Sequence, residues 1–185
     1  VNGKEEGEWN NYWETGDLKN TASFKSGELN GEWNSYYTNG NLKLNGEYVE
    51  NLKVGEWAES FENGRLKDIM TYKLFKKKYK VNYGIMKNHV VMENKLHGHS
   101  TSYSSKDFKM TEDGSYKKGL KEGKWVAYYP GGRYPAVTSQ YKNGVLHGVM
   151  QQFTRRGKII SEVGYKDGLK HGKFKIYDKK GNVIN

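Results

Sequence analysis

The chain has 185 residues, a net charge of +10 and no Cys, with 14% aromatic residues, 23 Gly and only two Pro. No apolar run approaches the eighteen or more residues a membrane helix needs, and disulfides and thiolate metal sites are excluded. Many aromatics with frequent Gly and Asn suit short strands joined by tight turns rather than helices.

Charge is unevenly spread along the chain. Residues 1–68 carry 7 Lys/Arg and 13 Asp/Glu, a net of −6, whereas residues 69–185 carry 24 and 8, a net of +16. A basic second half invites an anionic partner such as phosphate, nucleic acid or an acidic protein face; a solvated lysine-rich surface is the plainer reading. The sequence opens on Val1, part-way through a repeat, which leaves room for a leader or further repeats ahead of it. No basic-then-apolar leader is visible, and cytoplasmic and exported locations both fit.

In chain order, a unit opens at Gly7, Gly31, Gly55, Gly98, Gly123, Gly148 and Gly172, at intervals of 24, 24, 43, 25, 25 and 24. Two positions on stand Trp9, Trp33, Trp57, Ser100, Trp125, Met150 and Phe174; five on, Tyr12, Tyr36, Ser60, Tyr103, Tyr128, Phe153 and Tyr177. A second Gly follows nine after the first in most units, at Gly16, Gly40, Gly64, Gly132, Gly157 and Gly181. Such self-similarity is the mark of a repeat architecture.

Each unit reads as a β-hairpin. Gly31–Tyr37 has the length and aromatic content of a strand, and it runs into Asn39-Gly40, the pair preferred in a type I′ turn. Asn63-Gly64 repeats that chemistry. The return strand alternates: Leu42, Leu44, Gly46 and Tyr48 share a face, as do Leu66, Met70 and Tyr72, and Ile159, Ser161, Val163 and Tyr165. A second tight connection, at Asn143-Gly144 and Asp167-Gly168, leads into the next unit. The expectation is an all-β, elongated single-sheet meander or solenoid of about seven to eight hairpin repeats of about 24 residues, some fourteen strands spanning roughly 70 Å.

Three segments make up this one continuous solenoid: regular acidic repeats over 1–72, a degenerate basic repeat over 73–97, and basic repeats over 98–185. The degenerate segment lacks its Gly-x-Trp but remains β, with Val91 at the Phe24 position and Leu96 at the Leu29 position. It is placed to bend or divide the solenoid. The last unit holds one strand and a turn, an open edge that Lys173, Lys175, Lys179 and Lys180 would blunt.

The pattern Tyr-x-x-Gly-x-x-x-Gly-x-Trp-x-x-Tyr-x-x-x-Gly, seen at Phe24–Gly40 and at Tyr116–Gly132, resembles the MORN repeat and more closely its bacterial variant. The resemblance spans the chain except residues 73–90. It implies a scaffold, a dimerisation surface or a lipid-binding module, and in bacterial members an antitoxin-like association. A fold alone does not deliver function.

Chemistry is sparse. His97, His147 and His171 occupy one repeat position, so copies stand roughly 10 Å apart, too far for shared zinc ligands about 2 Å from a metal. His97 and His99 alone are a weak pair, and a ladder of turn-flanking His is the better reading. Glu8, Glu32 and Glu56 recur after the opening Gly, at the outer limit of a glycosidase-like pair, yet copies are interchangeable whereas an active site is unique. No nucleophile elbow or phosphate-cradling Gly loop is present. No enzyme activity, cofactor or metal is expected.

Surfaces remain. Residues two, four and six after each opening Gly share one face, and residue five points to the other, so aromatics stand on both. The expected role is a non-catalytic scaffold for a protein partner, antitoxin- or immunity-like, through Tyr12, Tyr36, Tyr103, Tyr128, Phe153 and Tyr177. The alternative is an anionic surface, lipid headgroups or nucleic acid, met by Lys76, Lys77, Lys78 and Lys80 with Tyr72 and Tyr79.

Overall fold

A computed structural model describes residues 3–81 and 87–184, with the backbone alone for 78–81 and 87–90. It contains fourteen strands among the described residues: β1 (Gly7–Tyr12), β2 (Leu18–Lys25), β3 (Glu28–Tyr36), β4 (Leu42–Val49), β5 (Leu52–Ser60), β6 (Leu66–Val81), β7 (Lys87–Tyr103), β8 (Met110–Lys117), β9 (Leu120–Tyr128), β10 (Pro135–Lys142), β11 (Val145–Leu146), β12 (Gly148–Phe153), β13 (Ile159–Lys166) and β14 (Leu169–Ile176). They follow one another in a single open antiparallel sheet in meander order, with the short β11 lying beside β10. The all-β hairpin repeat expected from the glycine spacing is what the chain forms. Two compact units are distinguished, residues 1–65 with 71–96 and residues 66–70 with 97–185. The described residues of the segment that lacks Gly-x-Trp are β: β6 and β7 run to 16 and 17 residues, against nine and eight for the strands that flank them.

Two kinds of connection alternate, and they are not where the Asn-Gly pairs alone place them. At Asn39-Gly40, Gly40 has φ 82° but Asn39 is not left-handed. The Gly40 N–H donates to the Tyr37 carbonyl at 2.9 Å, and the Tyr37 N–H to the Asn41 carbonyl at 2.8 Å. That is a three-residue hairpin loop closed by a bulge with glycine in the left-handed position, not a type I′ turn. The same bonds recur at Gly16, Gly64, Gly157 and Gly181. Type I′ geometry belongs to the second connection instead, where both central residues have positive φ: Asn143 51° and Gly144 83°, Asp167 51° and Gly168 83°, Lys118 53° and Gly119 84°. A two-residue link between directly paired positions, such as Lys142 and Val145, needs a twist that matches the flanking strands, which this turn supplies.

The opening glycine marks a second bulge. Ser115 pairs with Glu122 and Asp113 with Val126, so Gly123, Lys124 and Trp125 together face the single Gly114. The same three-to-one arrangement sets Gly55, Glu56 and Trp57 against Gly46. Gly55 and Gly123, with φ 65° and 70°, adopt a conformation that side chains resist. The bulge turns the indole onto the facing glycine. A Cβ on Gly46 would lie 2.2 Å from Trp57 Cδ2, and one on Gly114 2.2 Å from Trp125 Cδ2. Each indole occupies the space of the absent side chain.

In each unit the core is correspondingly a seam along one face of its strands. Trp57 is 0% exposed and Trp125 4%, and the other buried apolar side chains among the described residues are Ala22 and Val163. After β14 the chain turns at Asp178–Asn182, Tyr177 bridges to Val183, and the Ile184 N–H donates to the Ile176 carbonyl at 2.9 Å. The chain therefore turns back along the end of β14.

Candidate interaction surfaces

On the face that carries the tryptophans, rings interleave strand by strand. Tyr48 meets Trp33 at 5.9 Å between centroids and Trp57 at 4.9 Å, with near-perpendicular planes. Trp125 likewise stands between Tyr116 at 5.0 Å and Tyr141 at 6.5 Å, and Trp9 meets Phe24 at 6.1 Å. The edge-to-face geometry sets positive ring edges against negative faces.

Lysines two positions before the opening Gly complete the seam. Lys53 Nζ lies 4.1 Å from the Trp57 centroid and 5.7 Å from Tyr72; Lys121 Nζ lies 3.7 Å from Trp125 and 5.6 Å from Tyr141. These ammonium groups sit over electron-rich ring faces. Partial burial pushes the Lys53 ammonium below the usual lysine range, and Glu59 pulls the other way. Burial also holds the Tyr48 and Tyr72 phenols above the usual tyrosine range. Sequence reasoning missed this lysine position, although a Lys two before Gly-x-Trp at 53 and 121 signals it. This face is occupied in holding repeats together.

The two margins are stapled from repeat to repeat. Along the bulged loops, Tyr37 Oη donates to the Ser60 carbonyl at 2.9 Å and Tyr129 Oη to the Phe153 carbonyl at 2.6 Å. Replacing Tyr129 with Phe keeps the ring and deletes that bond, so Tyr129→Phe is expected to cost about 1 kcal/mol in a denaturant melt.

Along the type I′ turns, the residue before the opening Gly accepts a hydrogen bond from a turn amide in four repeats. Ser26 N–H donates to Glu6 Oε2 at 2.7 Å and Asn143 N–H to Glu122 Oε2 at 2.8 Å. The Lys118 and Asp167 N–H groups donate to Nδ1 of His97 and His147, at 3.3 and 3.5 Å. The turn-flanking histidines thus stand where other repeats place a carboxylate, with Asp167 Oδ1 3.2 Å from His147 Nδ1. His99 Nε2 lies 3.1 Å from Asp113, and His171 is exposed.

The opposite, polar face is differently furnished. Glu8, Asn10, Thr21, Ser23, Glu32, Asn34 and Tyr36 line one trough of about 250 Å³. Glu32 and Asn34 continue into a second, of about 230 Å³, with Asn45, Glu47, Val54 and Glu56. Glu32 and Glu47 stand directly opposite each other across β3 and β4, a like-charge pairing that disfavours the sheet. Glu8, Glu32, Glu47 and Glu56 are all exposed.

The row five after each Gly is distributed one residue per repeat, not gathered. Tyr12 is 58% exposed; Tyr36, Tyr103, Tyr128, Phe153 and Tyr177 are half-buried. Tyr36 shares the trough with the carboxylates and so lies opposite Trp33, as the alternation requires. Burial, with Asp113 adding, holds the Tyr128 phenol above its usual range.

Of the candidate lysines, Lys76 and Lys77 are exposed neighbours on β6, and successive strand residues point to opposite faces. Lys77 Nζ lies 3.7 Å from Glu93, which also pairs with Lys95 at 2.9 Å. The Lys95 hydrogen bond foremost, with the charges of Lys77 and Lys95, holds the Glu93 carboxyl below its usual range. The side chains of Lys78, Tyr79 and Lys80 lie outside the described residues.

Residues 5–26, 29–50 and 146–167 each match the model of the MORN repeat variant. These matches, each beginning two residues before an opening Gly, support a MORN repeat protein. No curated protein matches the chain. MORN repeats are generally interaction or membrane-binding modules, typically without catalytic activity. No helix of the described residues is long and apolar enough to cross a membrane.

Proposed function

We propose that this protein is a non-catalytic scaffold that holds a protein partner on the polar face of its sheet. One observation supports it above others: the rings and lysines that bind repeat to repeat lie on the tryptophan face, while the polar face carries exposed Glu32 and Glu47 side by side and Tyr36 between them and the loop. Like charges set opposite each other weaken a sheet by themselves, so their benefit is expected in a complex. Tyr12 and Tyr36 in the first unit, and Tyr103, Tyr128, Phe153 and Tyr177 in the second, supply apolar anchors to each unit by itself, as aromatic residues do at interfaces. An antitoxin- or immunity-type partnership is the particular form this reading takes.

The test is a photo-crosslinking residue at Asn34, on the polar face, against one at Asn20, on the tryptophan face. Discrete protein adducts from Asn34 but not Asn20 in native lysate are the expected result. Equal adducts from both, or none from Asn34, would sink the proposal.

A second reading, an anionic surface, draws on the second half. Lys117, Lys124, Lys142, Lys166 and Lys173 are exposed there, and Lys76, Lys77, Lys78 and Lys80 would add to them. It requires sedimentation with phosphatidylserine vesicles that falls steeply as salt rises; binding indifferent to salt removes it.

A further inference from the structure

Two of the repeats place a tyrosine between consecutive bulged loops, and two more carry Trp13 and Phe61 at that position. Tyr37 and Tyr129, each six after an opening Gly, lean across and bond the next repeat's first strand at Ser60 and Phe153. In the repeat that opens at Gly148 the corresponding residue is Thr154. Its hydroxyl stays at home, accepting from the Lys158 N–H at 3.1 Å and the Arg156 N–H at 3.3 Å. No ring crosses to Tyr177, and a cavity of about 420 Å³ opens in its place, walled by Thr154, Ile159, Ile160 and Tyr177.

The rim of that cavity is cationic. Arg156, Lys158 and Lys179 line it, and two of them stand where the loop after Tyr37 carries Asn39 and Asn41, whose amides both donate to the Glu62 carbonyl. Lys158 retains that cross-loop role, donating to the Lys179 carbonyl at 2.9 Å. Asp178 contributes the one carboxylate of the lining. Its oxygens accept from the Asn182 side chain and from the Asn182 and Lys180 amides, and these bonds hold its carboxyl below the usual range. It is therefore engaged in its own loop, and the rim keeps a surplus of positive charge.

We infer that this cavity is a socket for an aromatic side chain flanked by carboxylates, supplied by the protein partner. The ring takes the place of the tyrosine that the repeats opening at Gly31 and Gly123 provide for themselves, and acidic neighbours meet Arg156, Lys158 and Lys179. The inference rests on the scaffold reading and adds the chemistry of one anchor. A single aromatic in an apolar pocket with a polar rim is the usual form of an interface hot spot.

The experiment uses the full chain and a fluorescein-labelled peptide, Glu-Asp-Tyr-Asp-Glu, followed by fluorescence polarisation at low salt. Replacing the peptide's Tyr with Ala, or its acidic residues with Lys, is expected to weaken binding at least about tenfold, as loss of an anchor does. Thr154→Tyr, which restores the missing ring, and Arg156→Glu, on the exposed rim, are each expected to do the same while far-UV circular dichroism stays unchanged. Equal binding of the Tyr and Ala peptides, unchanged binding by Thr154→Tyr with its fold intact, or no binding to the parent chain overturns the socket. Should the socket fail while Asn34 still crosslinks, the scaffold reading stands alone; should the peptide bind while Asn34 captures nothing, the polar face falls as the docking surface and the socket remains as the partner's anchor.

Discussion

Adding a single methyl group at Gly114 is expected to destabilise the chain by about 3 kcal/mol, a large effect for so small a change. Gly114 has no positive φ, so the backbone tolerates alanine and only space is at issue. The new Cβ would lie 2.2 Å from Trp125 Cδ2 and 2.4 Å from Cε2, well inside carbon–carbon contact near 3.5 Å. The indole must leave, and with it go its edge-to-face contacts with Tyr116 and Tyr141 and the Lys121 ammonium over its face. Overpacking commonly costs about 1–3 kcal/mol, and here ejection of a buried ring is added. At about 2–4 °C per kcal/mol for a chain this long, the midpoint should fall by roughly 6–12 °C. Ser115→Ala, one residue on and facing the other way, should move it little. The decisive comparison is the double variant: with Trp125→Ala already present, Gly114→Ala should add almost nothing. Full additivity would show that the glycine does not serve as the seat of the ring.

The second large effect is expected at Trp57 and is best read against Trp9. Both occupy the same repeat position, but Trp57 is 0% exposed and lies between strands on both sides, whereas Trp9 is 44% exposed. Trp57→Ala removes the ring partner of Tyr48 at 4.9 Å and the surface under Lys53, and it vacates the space over Gly46. A loss of about 3–5 kcal/mol is expected, the range for burying and then deleting a large aromatic. Trp9→Ala should cost less than about half as much, since much of its surface stays in water. Urea melts of the two single variants decide the matter. Equal losses would mean that sequence position alone, rather than burial between neighbours, sets the energetics.

Much of the architecture was readable because β-structure repeats its chemistry at fixed intervals. Gly31, Trp33 and Tyr36 return at Gly123, Trp125 and Tyr128, and a two-residue side-chain period then assigns the faces. Turn types were less legible. Asn39-Gly40 and Asn143-Gly144 are the same dipeptide, yet one sits in a bulged three-residue loop and the other in a type I′ turn. What separates them is how the flanking strands pair, a non-local property that a dipeptide does not carry. The glycines at 46 and 114 read simply as members of an alternating strand; their use as ring seats depends on the three-to-one bulge across the ladder. The histidines were legible as a row, and the acceptor role of His97 and His147 emerges from comparison with Glu6 and Glu122 at the same position. Thr154 was passed over because a missing tyrosine is a signal only once the tyrosine's reach is known.

The lateral staples at the two margins carry a final implication. Tyr37 to Ser60, Tyr129 to Phe153, Glu6 to Ser26 and Glu122 to Asn143 link residues 20 to 24 positions apart. A change in length by one whole module leaves every such link with an equivalent mate, while loss of a single residue inside a module misaligns both borders at once. Gene duplication and unequal crossing-over can therefore lengthen or shorten this chain in steps of one hairpin without inventing any new junction.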